Sequence, residues 1–266
     1  MRERDLVGRE KLFVAEGEVV VRTLLTAAHS HAPVSLLLAA SRVEAQAALL
    51  AAAPSGLPVY VAGQRVMDAV VGFPIHRGIL ALGRRAPPLE PSTLLRGCGK
   101  RGLVVGLVGL GNHDNVGGVF RNAAAFGADA VLLDAGCCDP LYRKAIRVSV
   151  GAALRVPFAR LTPGVDMLSL LDFMGFEAVA LSPSGRTELG ALRRAPRTAA
   201  LFGAEGPGLP AALLARARSV RIGMSGGFDS LNVATASGIV LHHLSRGERS
   251  LSGPVDATAS TGSPPG

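Results

Sequence analysis

The feature that most constrains the fold begins at Leu103. "LVVGLVGL" (103–110) is an unbroken apolar run with no polar alternation, as in a strand buried on both faces of a parallel sheet. A glycine-rich helical stretch follows, "GGVFRNAAAFG", then a second apolar strand, "ADAVLLD". The alternation continues through helices in "PLYRKAIRVSVGA", "VDMLSLLDFMG" and "LPAALLARA", strands in "LRVPFARL", "FEAVALS" and "TAALFG", and a last helix in "DSLNVATASGIVLHHL". Strands alternating with helices predict an α/β fold with a parallel sheet. In such folds the loops at the carboxyl ends of the strands bind ligands.

Residues 1–83 read as a separate, smaller α/β unit. Helices are expected in "EGEVVVRTLLTAA", "RVEAQAALLAAA" and "QRVMDAVVG", and strands in "VSLLLAA", "LPVYVAG" and "GILALGR". Residues 84–102 open with the proline-rich "RRAPPLEPS" and read as a linker. The stretch 247–266 is rich in Ser, Gly and Pro without periodicity, so a disordered tail is expected after a carboxy-terminal domain of 103–246.

Composition narrows the function. Of 266 residues, 48% are hydrophobic, enough for a substantial core, and the formal charge is +8 with nearly every basic residue an arginine. Forked guanidinium groups suit phosphate, which points toward nucleic acid. Only 4% of residues are aromatic and none is tryptophan, which counts against single-strand binding by base stacking. The three cysteines (Cys98, Cys137, Cys138) have no metal-ligand spacing, and six scattered histidines add no zinc site, so no metal is expected. The charged start "MRERDLVGREKLF" has no apolar signal region, and no apolar run approaches the ~20 residues of a membrane span. A cytoplasmic protein without membrane contact is expected.

Nucleotide-binding loops are the first candidates for chemistry. "GCGKRG" (97–102) has three spaced glycines but precedes its strand, so it cannot form the strand–turn–helix phosphate cradle. No Walker-type loop is present. Three other stretches stand out. "GNHDNVGGVFRNAAAFG" follows the strongest strand and opens a helix, with Asn115 in the turn and Arg121 on the helix. "LFGAEGPGLP" holds Glu205 among Gly203, Gly206 and Gly208, and a turn alone explains the glycines but not the carboxylate. "GGFDSLNVATASGIVLHHL" opens the last helix with Asp229 or Ser230 as its cap. That places Asn232 inside the first turn, where asparagine gains nothing from helix propensity.

Together and in this order, the three stretches resemble the motifs of the SpoU family of RNA 2′-O-ribose methyltransferases, in the SPOUT class. Asn115, Gly117 and Arg121 match the first motif; Gly203, Glu205, Gly206 and Gly208 the second; Ser230, Leu231, Asn232 and Val233 the third. The resemblance covers about residues 103–245, and "DPLYRKAIRVSVGA" is similar to the family's basic helix. Asn112 and His113 stand where the family often has Asp-Pro, and Gly223 where proline is common.

The resemblance implies a carboxy-terminal domain with a deep trefoil knot, although chains are almost never knotted. It also implies a small amino-terminal RNA-binding domain and a homodimer built on the carboxy-terminal domain. The small residues Ala234, Ala236, Ser237 and Gly238 would suit such an interface, and an intramolecular contact would explain them equally. S-adenosyl-L-methionine is the implied cofactor, held by Gly203, Glu205, Gly206, Gly208, Ile222, Met224, Ser230 and Leu231. The implied catalytic set is Arg121, Asn115, Glu205, Ser230 and Asn232, acting on ribosomal or transfer RNA. On this reading Asn232 serves the ligand and not the helix, and Glu205 orients either Arg121 or the asparagines. Arg121 is either a general base or a clamp for phosphate and alkoxide. A non-catalytic RNA-binding or ribosome-assembly protein of the same fold is the alternative.

Overall fold

Two sheets organise the chain in the computed structural model, which describes residues 3–26, 31–71, 77–225 and 230–246. The first unit runs α1 (Glu3–Gly8), β1 (Leu12–Glu16), α2 (Glu18–Thr26), β2 (Ala32–Ala39), α3 (Ala47–Ala51), β3 (Val59–Ala62), α4 (Gln64–Val71) and β4 (Ile79–Arg84). The second runs α5 (Pro91–Gly97), β5 (Leu103–Val108), α6 (His113–Ala125), β6 (Ala130–Leu133), α7 (Arg143–Val148), β7 (Phe158–Arg160), α8 (Met167–Phe173), β8 (Glu177–Leu181), β9 (Thr187–Glu188), β10 (Thr198–Gly203), α9 (Ala211–Arg216), β11 (Arg218–Arg221) and α10 (Val233–Ser245).

The first unit has the strand order β1-β4-β2-β3, with β4 antiparallel to both neighbours and β2 parallel to β3. The second sheet has the order β7-β6-β5-β10-β8-β11-β9, and every pairing in it is parallel. From β5 the chain winds outward through β6 and β7, then crosses to the other side for β8. The order therefore reverses beside β5 and β10, whose ends meet at Val108 and Gly203. A crevice outside the strand ends is expected at such a reversal. The apolar run from Leu103 forms β5, an inner strand of this sheet beside the central β10. Val104, Val105 and Leu107 are fully buried, and a Cβ on Gly106 would lie 2.4 Å from Leu201 Cδ2.

Several expected elements are modified. The helix expected in 42–53 is two 3₁₀ turns, Ala40–Arg42 and Glu44–Gln46, followed by the short α3. The stretch read as a linker is extended only through 85–90. Its second half is α5, whose Leu95 is fully buried in the core formed with Leu132, Leu171 and Leu201. Arg197 holds this segment by donating to the carbonyls of Leu95, Cys98 and Gly99, while its guanidinium lies 4.2 Å from the centre of the Phe176 ring. The region expected to be a disordered tail, 247–266, lies outside the described residues.

The two units share a core. Leu141, Ile146 and Leu154, from α7 and its flanks, are fully buried among Phe13, Val20, Leu24 and Leu36 of the first unit. Polar ties border this contact. Arg85 donates to Asp139 at 2.6 Å, Arg143 pairs with Glu16 at 3.5 Å, and the Arg143 backbone N–H donates to Glu3. His31 Nδ1 accepts from the Ala86 N–H at 3.1 Å. Burial and the nearby Arg85 push the His31 pKa down to about 4, against the opposing pull of Asp139.

Candidate active site

Asn232 is the N-cap of α10 and not a first-turn residue. Its backbone is extended (φ −49°, ψ 138°), and its Oδ1 accepts from the backbone N–H groups of Ala234 at 2.9 Å and Thr235 at 3.3 Å. Of the two caps expected from the sequence, Asp229 lies outside the described residues, and Ser230 precedes the cap by two positions. The asparagine therefore does serve the helix, contrary to the expectation that it serves only a ligand.

Its other end explains why a serine or aspartate would not do. Asn232 Nδ2 donates to Asn115 Oδ1 and to Glu205 Oε1, both at 2.9 Å. One side chain thus ends the last loop, holds the first motif and holds the second. A primary amide has two donors and one acceptor oxygen, and here all are engaged. Asn115 is only 5% exposed, in the first turn of α6. That helix is capped by Asn112, whose Oδ1 accepts from the Asp114 N–H at 2.8 Å. Asparagine and aspartate cap equally well, so the departure from the family's aspartate leaves the helix start intact. His113 takes the next position, with its ring centre 4.6 Å from that of Tyr142.

The glycine loop closes on itself. Gly206 and Gly208 have φ of +85° and +68°, the left-handed region that favours glycine. The Gly208 N–H donates to the Ala204 carbonyl at 3.0 Å, pinching the loop so that Glu205 stands at its exposed tip. A Cβ on Gly203 would lie 2.2 Å from the Gly208 carbonyl carbon. Gly203 is thus required by loop closure, before any ligand is considered.

Against this loop lies a cavity of about 390 Å³. Gly203, Glu205, Gly206, Gly208, Ile222, Met224, Ser230 and Leu231, the residues expected to hold a cofactor, all line it, and so does Asn232. The cavity also takes in Leu181, Ser182 and Pro183 at the end of β8, with Phe202, Val233 and Ala236, which were not among the expected cofactor residues. The signal for the β8 segment was only that a strand ends there beside the reversal of sheet order. Among the described residues, Glu205 is the single ionisable group in the lining.

Asn115 and Arg121 are outside the lining. Asn115 reaches the cavity's edge through Asn232. Arg121 is exposed on α6, and its guanidinium makes no hydrogen bond or ion pair with any described residue. Glu205 is therefore bonded to Asn232 and not to Arg121. On the far side of α6, Lys144 pairs with Asp114 at 2.7 Å, and a Cβ on Gly117 would lie 2.7 Å from the Ala145 carbonyl oxygen, so α6 and α7 are in close contact. Burial raises the thiol pKa of Cys137 to about 12 and those of Cys98 and Cys138 to about 11. Among the described residues, no group of three or more His, Cys, Asp or Glu side chains could hold a metal, and no helix is long and apolar enough to cross a membrane.

Comparison with known proteins agrees with this geometry. Residues 102–242 match the model of the SpoU rRNA methylase family. An uncharacterised tRNA/rRNA methyltransferase of Mycobacterium tuberculosis is 42% identical over 250 residues, 92% of this chain and 84% of the relative. Among solved structures, the S-adenosylmethionine-bound rRNA methyltransferase of Sinorhizobium meliloti superposes with a TM-score of 0.77 at 25% identity, covering 93% of this chain and 94% of that one. An RNA 2′-O-ribose methyltransferase superposes at 0.78 with 26% identity, covering 92% of each chain. With three motifs meeting at Asn232 beside the cavity, and with matches of this extent, the chain belongs to the SpoU family of RNA methyltransferases.

Proposed function

We propose that this protein transfers a methyl group from S-adenosyl-L-methionine to a ribose 2′-hydroxyl of ribosomal or transfer RNA. The observation that carries the proposal is the convergence of Asn115, Glu205 and Asn232 at the mouth of a cavity lined by the glycine loop. The cavity's 390 Å³ lies within the ~300–1,000 Å³ typical of small-molecule sites. Its walls of Leu181, Phe202, Ile222 and Leu231 suit an adenosine, and its one carboxylate suits a cationic sulfonium and amine.

When bound, the cofactor supplies the electrophilic methyl group. The chain's own work is to hold and orient. Glu205 and Asn232 fix the loop that closes over the cavity, and Asn115 buttresses Asn232 from α6. Ser230 and Leu231 line the cavity just ahead of the cap. Arg121 is assigned to the RNA. A guanidinium is a poor base but a good fork for phosphate and developing alkoxide, so we place it as a clamp on the phosphodiester beside the target ribose.

The remaining implications belong to the same proposal: residues 1–83 bind substrate RNA, residues 103–246 form a knotted methyltransferase domain, and two copies form a homodimer. Of the small residues first associated with that dimer, Ala234, Ser237 and Gly238 are occupied by α6 within the protomer, and Ala236 lines the cavity. The outward stripe of α10, Thr235, Ile239, His242 and Arg246, is the face left for a second copy. Light scattering at micromolar concentration tests this, and a fully active monomer rules it out.

The function is tested by methyl incorporation from labelled cofactor into total RNA, followed by nucleoside analysis. A 2′-O-methylated nucleoside is expected. A base-methylated product would overturn the ribose assignment, and cofactor binding without transfer would favour the non-catalytic alternative. Arg121→Ala should abolish transfer while leaving cofactor affinity within about twofold. Absence of recovery in Arg121→Lys would support the fork over a simple charge.

A further inference from the structure

Asn122, next to Arg121 on α6, lies outside the three motifs. Its Nδ2 donates to the Ala234 carbonyl oxygen at 2.6 Å and to Ser237 Oγ at 2.9 Å. Ser237 is fully buried, and its own hydroxyl donates to the same carbonyl at 2.8 Å, leaving an acceptor for Asn122. Glycines on both helices make room. A Cβ on Gly118 would lie 2.5 Å from Ala234 Cβ, and one on Gly238 would lie 3.3 Å from Asn122 Nδ2.

Asn115 and Asn122 are seven residues apart, so they return to the same face of α6, about 20° out of line. Asn115 is tied to the cap of α10, and Asn122 to the turn that follows it. Val116, Val119, Phe120 and Ala123 pack α6 into the core, and the two amide anchors on one face add fixed directions to its roll against α10. Arg121 leaves the axis about 100° from that face, so the roll angle sets where its guanidinium reaches. A roll of about 10° moves a side-chain tip ~6 Å from the axis by about 1 Å. A misplacement of that size can cost about 10²-fold in rate.

We infer that Asn122 is a positioning residue for methyl transfer: by hooking Ala234 and Ser237 it fixes the roll of α6 and hence the aim of Arg121. The inference rests on the assignment of Arg121 to the RNA methyltransferase site made above.

The test measures single-turnover transfer from labelled S-adenosylmethionine to total RNA, with cofactor affinity by calorimetry and RNA saturation followed separately. Asn122→Ala should lower kcat by roughly 10- to 100-fold while cofactor affinity and the KM for RNA stay within about twofold. In an Arg121→Lys background the same change should cost less than about threefold, because the two residues act as a unit. Ser237→Ala keeps the bond to the Ala234 carbonyl and should give an intermediate fall, so the inference stays testable if Asn122→Ala does not fold. An unchanged kcat in folded Asn122→Ala, or equal penalties in both backgrounds, would reduce Asn122 to a packing residue and overturn the inference alone. A wild-type protein that transfers no methyl group to RNA would overturn the methyltransferase reading and the inference with it.

Discussion

Substitution at Asn232 separates its two tasks. Asn232→Ser keeps a good N-cap but removes the amide nitrogen. The bond to Asn115 is the costly loss, because it leaves an acceptor on a residue only 5% exposed. An unsatisfied buried acceptor costs about 1–3 kcal/mol. The bond to the exposed Glu205 adds little to stability. For a chain of this length, 1 kcal/mol corresponds to about 2–4 °C in Tm, so a drop of roughly 2–12 °C is expected for the serine variant. Asn232→Ala loses the cap as well, for a further ~1 kcal/mol. Cofactor affinity should fall about tenfold in both variants, equivalent to ~1.4 kcal/mol, because Glu205 is no longer held over the cavity. Differential scanning calorimetry and titration calorimetry on the two proteins measure these effects. Equal Tm values for serine and alanine would refute the capping role. A serine variant matching wild type in both Tm and affinity would refute the tie between loops. Asn232→Asp keeps the cap but faces Glu205 with a second carboxylate, so like-charge repulsion should loosen the loop and lower cofactor affinity at least as much as the serine variant does.

Gly203→Ala should weaken cofactor binding tenfold or more by calorimetry, because its Cβ would lie 2.2 Å from the Gly208 carbonyl carbon and the loop could not close; undiminished affinity would count against the closed loop. Leu95→Ala should lower stability by about 2–5 kcal/mol in denaturant unfolding, as for a core leucine, and a linker residue would show almost no change. His31 should make the protein acid-sensitive. Its folded pKa of about 4 lies below the ordinary 6.5, so the unfolded chain binds the extra proton and stability is lost as the pH falls from 6.5 toward 4. His31→Gln should flatten the stability profile in that window, and a profile parallel to wild type would exclude His31 as its source.

The site was more legible in the sequence than the scaffold around it. Glu205 stood out because a turn does not call for a carboxylate, Asn232 because it reads as a first-turn residue, and Asn115 only through the spacing it shares with Gly117 and Arg121. The position of Asn232 was misjudged because a serine two residues earlier is an equally good cap by type. Only the backbone shows which residue accepts from Ala234 and Thr235. Helix α5 was hidden by "RRAPPLEPS", since proline marks an extended linker and the first position of a helix alike. Strand β11 was hidden because "RSVR" has only one apolar residue, although Ser219 and Val220 are both buried between β8 and β9. The role of Asn122 was illegible because it depends on a partner helix more than a hundred residues away.

That Asn232 joins segments lying 117 and 27 residues before it has a consequence for synthesis. A nascent chain emerges amino-terminal first, and it can lay down the shared core and most of the second sheet as it does so. Until residue 232 arrives, the carboxylate at 205 and the amide at 115 have nothing to hold them together. An incomplete chain can therefore be largely folded and still lack both the tie on Glu205 and the cavity wall that Ser230, Leu231, Val233 and Ala236 supply.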